Sequence, residues 1–289
     1  MRSEQEIFQR ILEFIGPDDN IRAAVLNGSR ANPNIKRDPF QDFDVACLVR
    51  DVHPYLRNWD IVRFFGEPMI VQLPEDMSDP PADGGGHYSY LMQFMDGNRI
   101  DLSFFPPEQW DRPTKDSLTV VLLDKDGRLK NIPPASEKDY LPKPPTEKAF
   151  QDCCNEFWWV SPYVAKGLWR GELIYAKSVL DEIVRPQLMK MLVWYFGLQT
   201  DFNKSPGKLG KNFKDVFDAA IQAEIKITYA DAESENIWKS LFAMDSLFRK
   251  LAHNVADRFR FNYPQGDDDR VSAHLRHVQT LPRNAGVIY

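Results

Sequence analysis

Cysteine is scarce: Cys47, Cys153 and Cys154 are an odd number, two are neighbours, and none has the Cys-x-x-Cys or Cys/His spacing of a zinc site. A disulfide scaffold is excluded, and free thiols fit a reducing cytoplasm. Long apolar runs are missing as well. None approaches the roughly 18 residues a membrane helix requires, and the most apolar stretch, Leu188 to Leu198, contains Lys190. The first ten residues mix both charges instead of leading from a basic stretch into an apolar core, so no secretory signal is read. An excess of basic residues is also lacking. With 36 Lys+Arg against 42 Asp+Glu the formal net charge is −6, a field that repels phosphate backbones and favours cationic small molecules. Nucleic acid and membrane are therefore excluded as partners, and no internal repeat or low-complexity tract points to a fibrous or disordered chain.

What is present is an ordinary globular composition, 43% hydrophobic and 27% charged, over 289 residues, a length suited to about two domains. Up to about Asp124 a helical pattern gives way to short apolar runs separated by Pro, Gly and Asp. Val45 to Val49, Met69 to Leu73, Tyr88 to Phe94, Ile100 to Phe105 and Leu118 to Leu123 read as strands. In the fourth of these, Ile100, Leu102 and Phe104 alternate with Asp101, Ser103 and Phe105, so one face is apolar and the other carries a carboxylate. Asp96-Gly97 predicts a hairpin between the third and fourth. Five prolines between Ile132 and Pro145 mark a stiff connector. Beyond it the apolar period becomes helical: Phe150, Cys153, Cys154, Phe157, Val164 and Leu168 share one face, and Ile237 through Val255 step by fours and threes. A long helix is expected from Glu172 to Phe196 with a kink or a break near Arg185, since Pro186 lies inside it. Gly266-Asp267-Asp268-Asp269 reads as a loop. The fold class expected is α+β, with a mixed sheet and helices over residues 1–135 and a helical bundle over 136–289.

One constellation carries chemistry. Asn27-Gly28-Ser29-Arg30 follows the apolar run Ala23 to Leu26, Gln41-Asp42-Phe43-Asp44 opens an apolar strand, and Asp101 lies on a later one. Asp42 and Asp44 are two apart, so on a strand both carboxylates face one way and can share divalent cations. Three hard oxygen donors suit Mg²⁺. Gly28 permits a tight turn in which backbone N–H groups and the Ser29 hydroxyl approach a phosphate. Singly, an Asp-x-Asp or a Gly-Ser pair is mostly incidental; the ordered set is far more restrictive.

That set resembles the nucleotidyltransferase superfamily of the DNA polymerase beta type. Within it, Asn27-Gly-Ser-Arg-Ala-Asn-Pro-Asn34 with Phe40-Gln-Asp-Phe-Asp44 is similar to the aminoglycoside 6-adenylyltransferase family. The likeness continues through Gln72 to Met77, Val121 to Asp126, Cys153 to Trp158, Tyr163 to Leu168, Glu182 to Pro186, Gly210 to Phe213 and Trp238 to Phe242. Phe43 and Phe213 depart from it, standing where the family often has Tyr, so a hydroxyl role is absent at both places. The resemblance implies transfer of AMP from ATP to a hydroxyl of an aminoglycoside, the 6-hydroxyl of streptomycin foremost, with pyrophosphate released and the antibiotic inactivated. It implies two Mg²⁺ ions bridged by Asp42 and Asp44, with Asp101 as metal ligand or as base. Gly28 and Ser29 would hold ATP phosphates, and Arg30 would assist or pair with a nearby carboxylate.

From the second domain the resemblance offers Lys166 and Lys211 as cations for the triphosphate. A cationic acceptor with guanidinium groups calls for carboxylates and aromatic faces. Glu75, Trp158, Asp181 and Glu182 are the candidates; one of Trp158 and Trp159 is expected in the core, and one of Asp181 and Glu182 in solvent. Adenylylation of another small hydroxylated acceptor, or nucleotide sensing without turnover, are the alternative functions. Nothing in the sequence demands a partner chain, and a monomer is expected.

Overall fold

Ser3 and Glu6 cap one another's backbone at the start of α1 (Glu4–Ile15), and Ile7, Ile11 and Ile15 fall on the single face that is buried. The computed structural model describes all 289 residues and divides into two units, Met1–Asp139 and Tyr140–Tyr289. The division falls inside the proline-rich connector.

In the first unit α1 is followed by β1 (Ile21–Asn27), α2 (Gly28–Ala31), β2 (Phe43–Val49), α3 (Trp59–Phe65), β3 (Pro68–Gln72), β4 (Tyr88–Phe94), β5 (Arg99–Phe105), α4 (Asp111–Thr114) and β6 (Val120–Asp124). The strands form one sheet in the order β3-β4-β5-β2-β1-β6. Every pairing is antiparallel except β2 with β5. The Asp96-Gly97 hairpin joins β4 to β5, with Gly97 at φ 86°. β1 is not among the strands that alternation points to, because Ala23 to Leu26 is buried on both faces and reads as a continuous apolar run. One face of the sheet packs Phe43, Val45, Cys47, Ile100, Leu102 and Phe104 against α1 and α3. The opposite face has a smaller apolar cluster of Ala23, Val25, Ala46, Leu48 and Phe105, which leaves its polar residues accessible.

The second unit is helical: α5 (Glu147–Arg170), α6 (Leu173–Ser178), a π-helical turn over Val179–Val184, α7 (Arg185–Gln199), α8 (Ala219–Ile227), α9 (Ser234–Phe259) and α10 (Gln265–Thr280). Phe157 of α5 stacks on Phe248 of α9 at 3.9 Å between ring centroids, in a core that also holds Cys153, Cys154 and Met244. The expected kink or break near Arg185 takes the form of a change of helix type at that residue. The helix widens into the π turn, and Pro186 sits in the first turn of α7, where its missing N–H costs no hydrogen bond. The expected loop at Gly266–Asp269 is instead the opening of α10. Carboxylates near a helix N-terminus meet the positive end of its dipole, and Asp268 is anchored by Tyr263, Ser272 and Arg249. No helix is long and apolar enough to cross a membrane.

Candidate active site

Strand register assembles the site. Asn27 at the end of β1 is the cross-strand partner of Asp44 on β2, and Asp44 is the partner of Asp101 on β5. Residues in register share a face, so these three side chains form one row across adjacent strands. Asp42 lies two residues before Asp44. Carboxylate oxygens of Asp42, Asp44 and Asp101 lie within 4.8 Å of one another.

The turn after β1 is shaped to this row. Gly28 has φ +71°, and a Cβ built on it would lie 2.2 Å from Asp44 Oδ2. A side chain there is disfavoured by the backbone conformation and would displace the Asp44 carboxylate. Ser29 follows, half-buried, in the short helix α2. Asn27 Nδ2 donates to Thr119 Oγ1 at 2.7 Å and to the Pro113 carbonyl at 3.1 Å, which ties the end of β1 to α4 and to the segment that leads into β6.

Arg30, expected near phosphate, is turned inward instead. It is 6% exposed and donates to the carbonyls of Gln41 (2.8 Å) and Asp42 (3.1 Å). Its guanidinium also pairs with Glu4 at 3.1 Å and lies 3.7 Å over the Phe43 ring. The alternative of pairing with a carboxylate is the one realised, and the side chain braces the Asp-x-Asp segment from behind.

Electrostatically the row is under tension. Burial, followed by the charges of Asp42 and Asp101, pushes the Asp44 carboxyl up to about 7, while Arg99 opposes the shift and Asp116 adds to it. Three carboxylates held this closely in a partly desolvated place call for positive charge. Hard oxygen donors converging from two strands fit Mg²⁺, and Asp42, Asp44 and Asp101 are the residues that would hold it.

Glu75 stands on the same face of the sheet. It accepts from the Ser89 N–H at 2.9 Å and pairs with His87 Nε2 at 2.9 Å. Ser89 is bonded to Ser103, which lies one strand period beyond Asp101. In the helical unit the expected residues are dispersed. Trp158 is 1% exposed and donates to the Tyr263 hydroxyl, so it is the core member of its pair; Trp159 is 64% exposed. Asp181 is held between Lys177 and Arg185, whereas Glu182 is exposed. Lys166 lies 4.7 Å from the Tyr163 ring centroid. Lys211 packs its stem beside Gly207, and Asp181, Gly207 and Gly210 line one cavity of about 590 Å³.

Two participants, Arg99 and Asp116, escaped the sequence reading, and Asn27 lay within the motif without an assigned partner. Arg99 precedes Asp101 by one strand period, a spacing that alternation alone would reveal. Asn27 and Asp116 had no such signal, since their approach to Asp44 depends on strand pairing and on the path of the chain before β6.

The sequence model of the streptomycin adenylyltransferase family matches residues 1–278. An aminoglycoside 6-adenylyltransferase of Bacillus subtilis is 39% identical over 270 residues, 93% of this chain and 95% of that one. Another, from Campylobacter jejuni, is 39% identical over 269 residues, 93% of each. The crystal structure of an aminoglycoside 6-adenyltransferase from Bacillus subtilis is 34% identical, covering 97% of this chain and 100% of that chain with a TM-score of 0.48. With its acidic row behind a glycine turn and its match along nearly the whole sequence, the chain belongs to the streptomycin adenylyltransferase family and is a nucleotidyltransferase.

Proposed function

We propose that this protein transfers AMP from ATP to a hydroxyl of an aminoglycoside, the 6-hydroxyl of streptomycin, with release of pyrophosphate and loss of antibiotic action. The observation that carries the reading is the row of Asp44 and Asp101 with Asp42 beside it, fronted by a glycine turn where any side chain would crowd Asp44. In the reaction the acceptor oxygen bonds to the α-phosphorus, the bond to the bridging oxygen of the β-phosphate breaks, and the hydroxyl proton leaves to solvent or a carboxylate. Asp42, Asp44 and Asp101 would hold two Mg²⁺ ions, which when bound would supply charge stabilisation to the attacking and departing oxygens. Asp42, Asp44 and Asp101 would be the carboxylates that hold the metal, and Gly28 and Ser29 would receive phosphate oxygens. Glu75 orients the cationic acceptor from the same face of the sheet. The family resemblance adds Lys166 and Lys211 for the triphosphate, and the exposed Glu182 is a carboxylate suited to a cationic acceptor.

Pyrophosphate release from ATP and Mg²⁺ with streptomycin, kanamycin, a lincosamide or no acceptor tests the reading. Release with streptomycin, a product heavier by one AMP, and loss of both in Asp42→Ala are expected. Release with a different acceptor alone would move the substrate elsewhere, and no release with any of them would sink the antibiotic reading.

A further inference from the structure

Arg99 and Asp101 are two residues apart on β5 and so project from the same face of the sheet. The guanidinium meets the carboxylate with both prongs of its fork: Nε lies 2.8 Å from Oδ1 and Nη2 2.6 Å from Oδ2. Nε is also 3.9 Å from Asp42 Oδ2, and the charge lowers the proton affinity of Asp44. One arginine thus offsets part of the negative charge of the acidic row. It does so from a side chain that is 44% exposed and can leave.

The same contact creates a conflict. A guanidinium bonded to both oxygens of Asp101 occupies the positions through which that carboxylate would bind a metal ion, and two cations cannot share those oxygens without repulsion. We propose that Arg99 is an exchangeable counter-cation: it neutralises Asp101 until a divalent metal arrives with the nucleotide, then releases the carboxylate and takes phosphate oxygens of the triphosphate instead. The proposal rests on the metal and nucleotide reading of this site. Its chemistry explains why arginine suits the position. The planar fork fits carboxylate and phosphate equally well, so the same side chain serves both partners, whereas a lysine offers only a point charge.

The test compares the wild-type chain with Arg99→Met, Arg99→Lys and Asp44→Asn in two titrations that need no turnover. One is Mn²⁺ alone, followed by calorimetry or by the electron paramagnetic resonance of the free ion. The other is the α,β-methylene analogue of ATP at saturating Mg²⁺. Arg99→Met is expected to bind Mn²⁺ about fivefold more tightly, because its competitor is gone. The same variant is expected to bind the analogue about tenfold more weakly, because a charge-assisted phosphate contact is lost. Opposite signs are the signature; a residue that only supports the strand would weaken both ligands together. Unchanged or weaker Mn²⁺ binding in Arg99→Met, or unchanged analogue binding, overturns the proposal. Arg99→Lys, which keeps the charge without the fork, should shift both affinities in the same directions by less, and it decides the matter where Arg99→Met does not fold. Wild-type protein that binds no Mn²⁺, or Asp44→Asn that binds it as well as wild type, would remove the metal-centre reading along with the role of Arg99.

Discussion

Gly28 and Asp44 are fitted to each other: the Cβ that residue 28 lacks would overlap Asp44 Oδ2 at 2.2 Å, in a backbone conformation with φ +71° that already favours glycine. Gly28→Ala is therefore expected to push the Asp44 carboxylate out of the row. A displacement of this kind should lower turnover about 100-fold, since shifts of about 1 Å at reacting groups have that effect. The left-handed backbone adds about 1 kcal/mol of destabilisation. Pyrophosphate release and a thermal melt of the variant measure both, and wild-type turnover in a folded Gly28→Ala protein would contradict the fit.

Arg30 offers the opposite case, a basic residue of the motif that works by bracing. Its guanidinium joins the carbonyls of Gln41 and Asp42, Glu4 on α1 and the Phe43 ring. Removal leaves buried carbonyls without donors, and Arg30→Ala is expected to cost about 2–4 kcal/mol. Mn²⁺ affinity should fall with it as the Asp-x-Asp segment loosens, and Arg30→Lys should recover part of both. A phosphate-contacting role would show the reverse, weaker nucleotide binding with an unchanged urea midpoint.

These two residues also mark how much of the site is legible in the sequence. Asp42 and Asp44 declare themselves through a two-residue spacing at the head of an apolar strand, because the strand period is local and fixed. The carboxylate side of β5 is legible for the same reason, through the alternation of Ile100, Leu102 and Phe104 with Asp101 and Ser103. That Asp101 stands abreast of Asp44 is not, since it depends on a parallel pairing of strands far apart in the chain. Arg30 has no local signature of its destination either, as its partners lie on α1 and at the head of β2. β1 escapes because a strand buried on both faces loses its alternation. Trp158 and Trp159 could be separated only in part: adjacent residues on a helix diverge by about 100°, which says that one is buried but not which. The start of α10 was obscured by its own carboxylates, a loop composition that a helix N-terminus also favours.

Asp245 on α9 is 3% exposed, and neither carboxylate oxygen has a hydrogen-bond partner. Burial pushes its carboxyl from the ordinary 3.8 up to about 8; Arg249 opposes the shift and Asp268 adds to it. Between these values the native chain keeps a proton that the unfolded chain has lost. Its contribution to stability is therefore intact below about pH 4 and declines as pH rises, by at most about 1.4 kcal/mol per unit, until the native carboxyl ionises near 8. Asp245→Asn, which mimics the neutral acid, removes this slope. Urea unfolding followed by far-UV circular dichroism is expected to show the variant close to wild type at pH 4.5 and more stable by about 2–4 kcal/mol at pH 8. A difference that stays constant across the range would mean that Asp245 is ionised in the native protein.

Glu75 and Asp181 are both carboxylates with basic neighbours, yet their settings predict different consequences when the charge is removed. Asp181 already receives Lys177 and two guanidinium nitrogens of Arg185, whose guanidinium carbon lies 3.9 Å from the centroid of the Tyr229 ring. An internal arginine thus occupies the carboxylate and the aromatic face that an acceptor guanidinium would seek. Asp181→Asn is expected to lower stability by about 1–3 kcal/mol, because Arg185 is buried and loses its counter-charge. Acceptor KM should be unchanged. Glu75 is braced by the Ser89 N–H and paired with His87, on the face of the sheet that carries Asp44 and Asp101. Glu75→Gln keeps the hydrogen-bonding shape and loses the charge, so it is expected to raise the streptomycin KM about tenfold, the cost of one charge-assisted contact, while the ATP KM stays within about twofold. Steady-state kinetics with each substrate varied in turn, set beside thermal melts of both variants, separates the two residues. A raised acceptor KM in Asp181→Asn, with Glu75→Gln silent, would transfer acceptor recognition from the sheet to the helical unit.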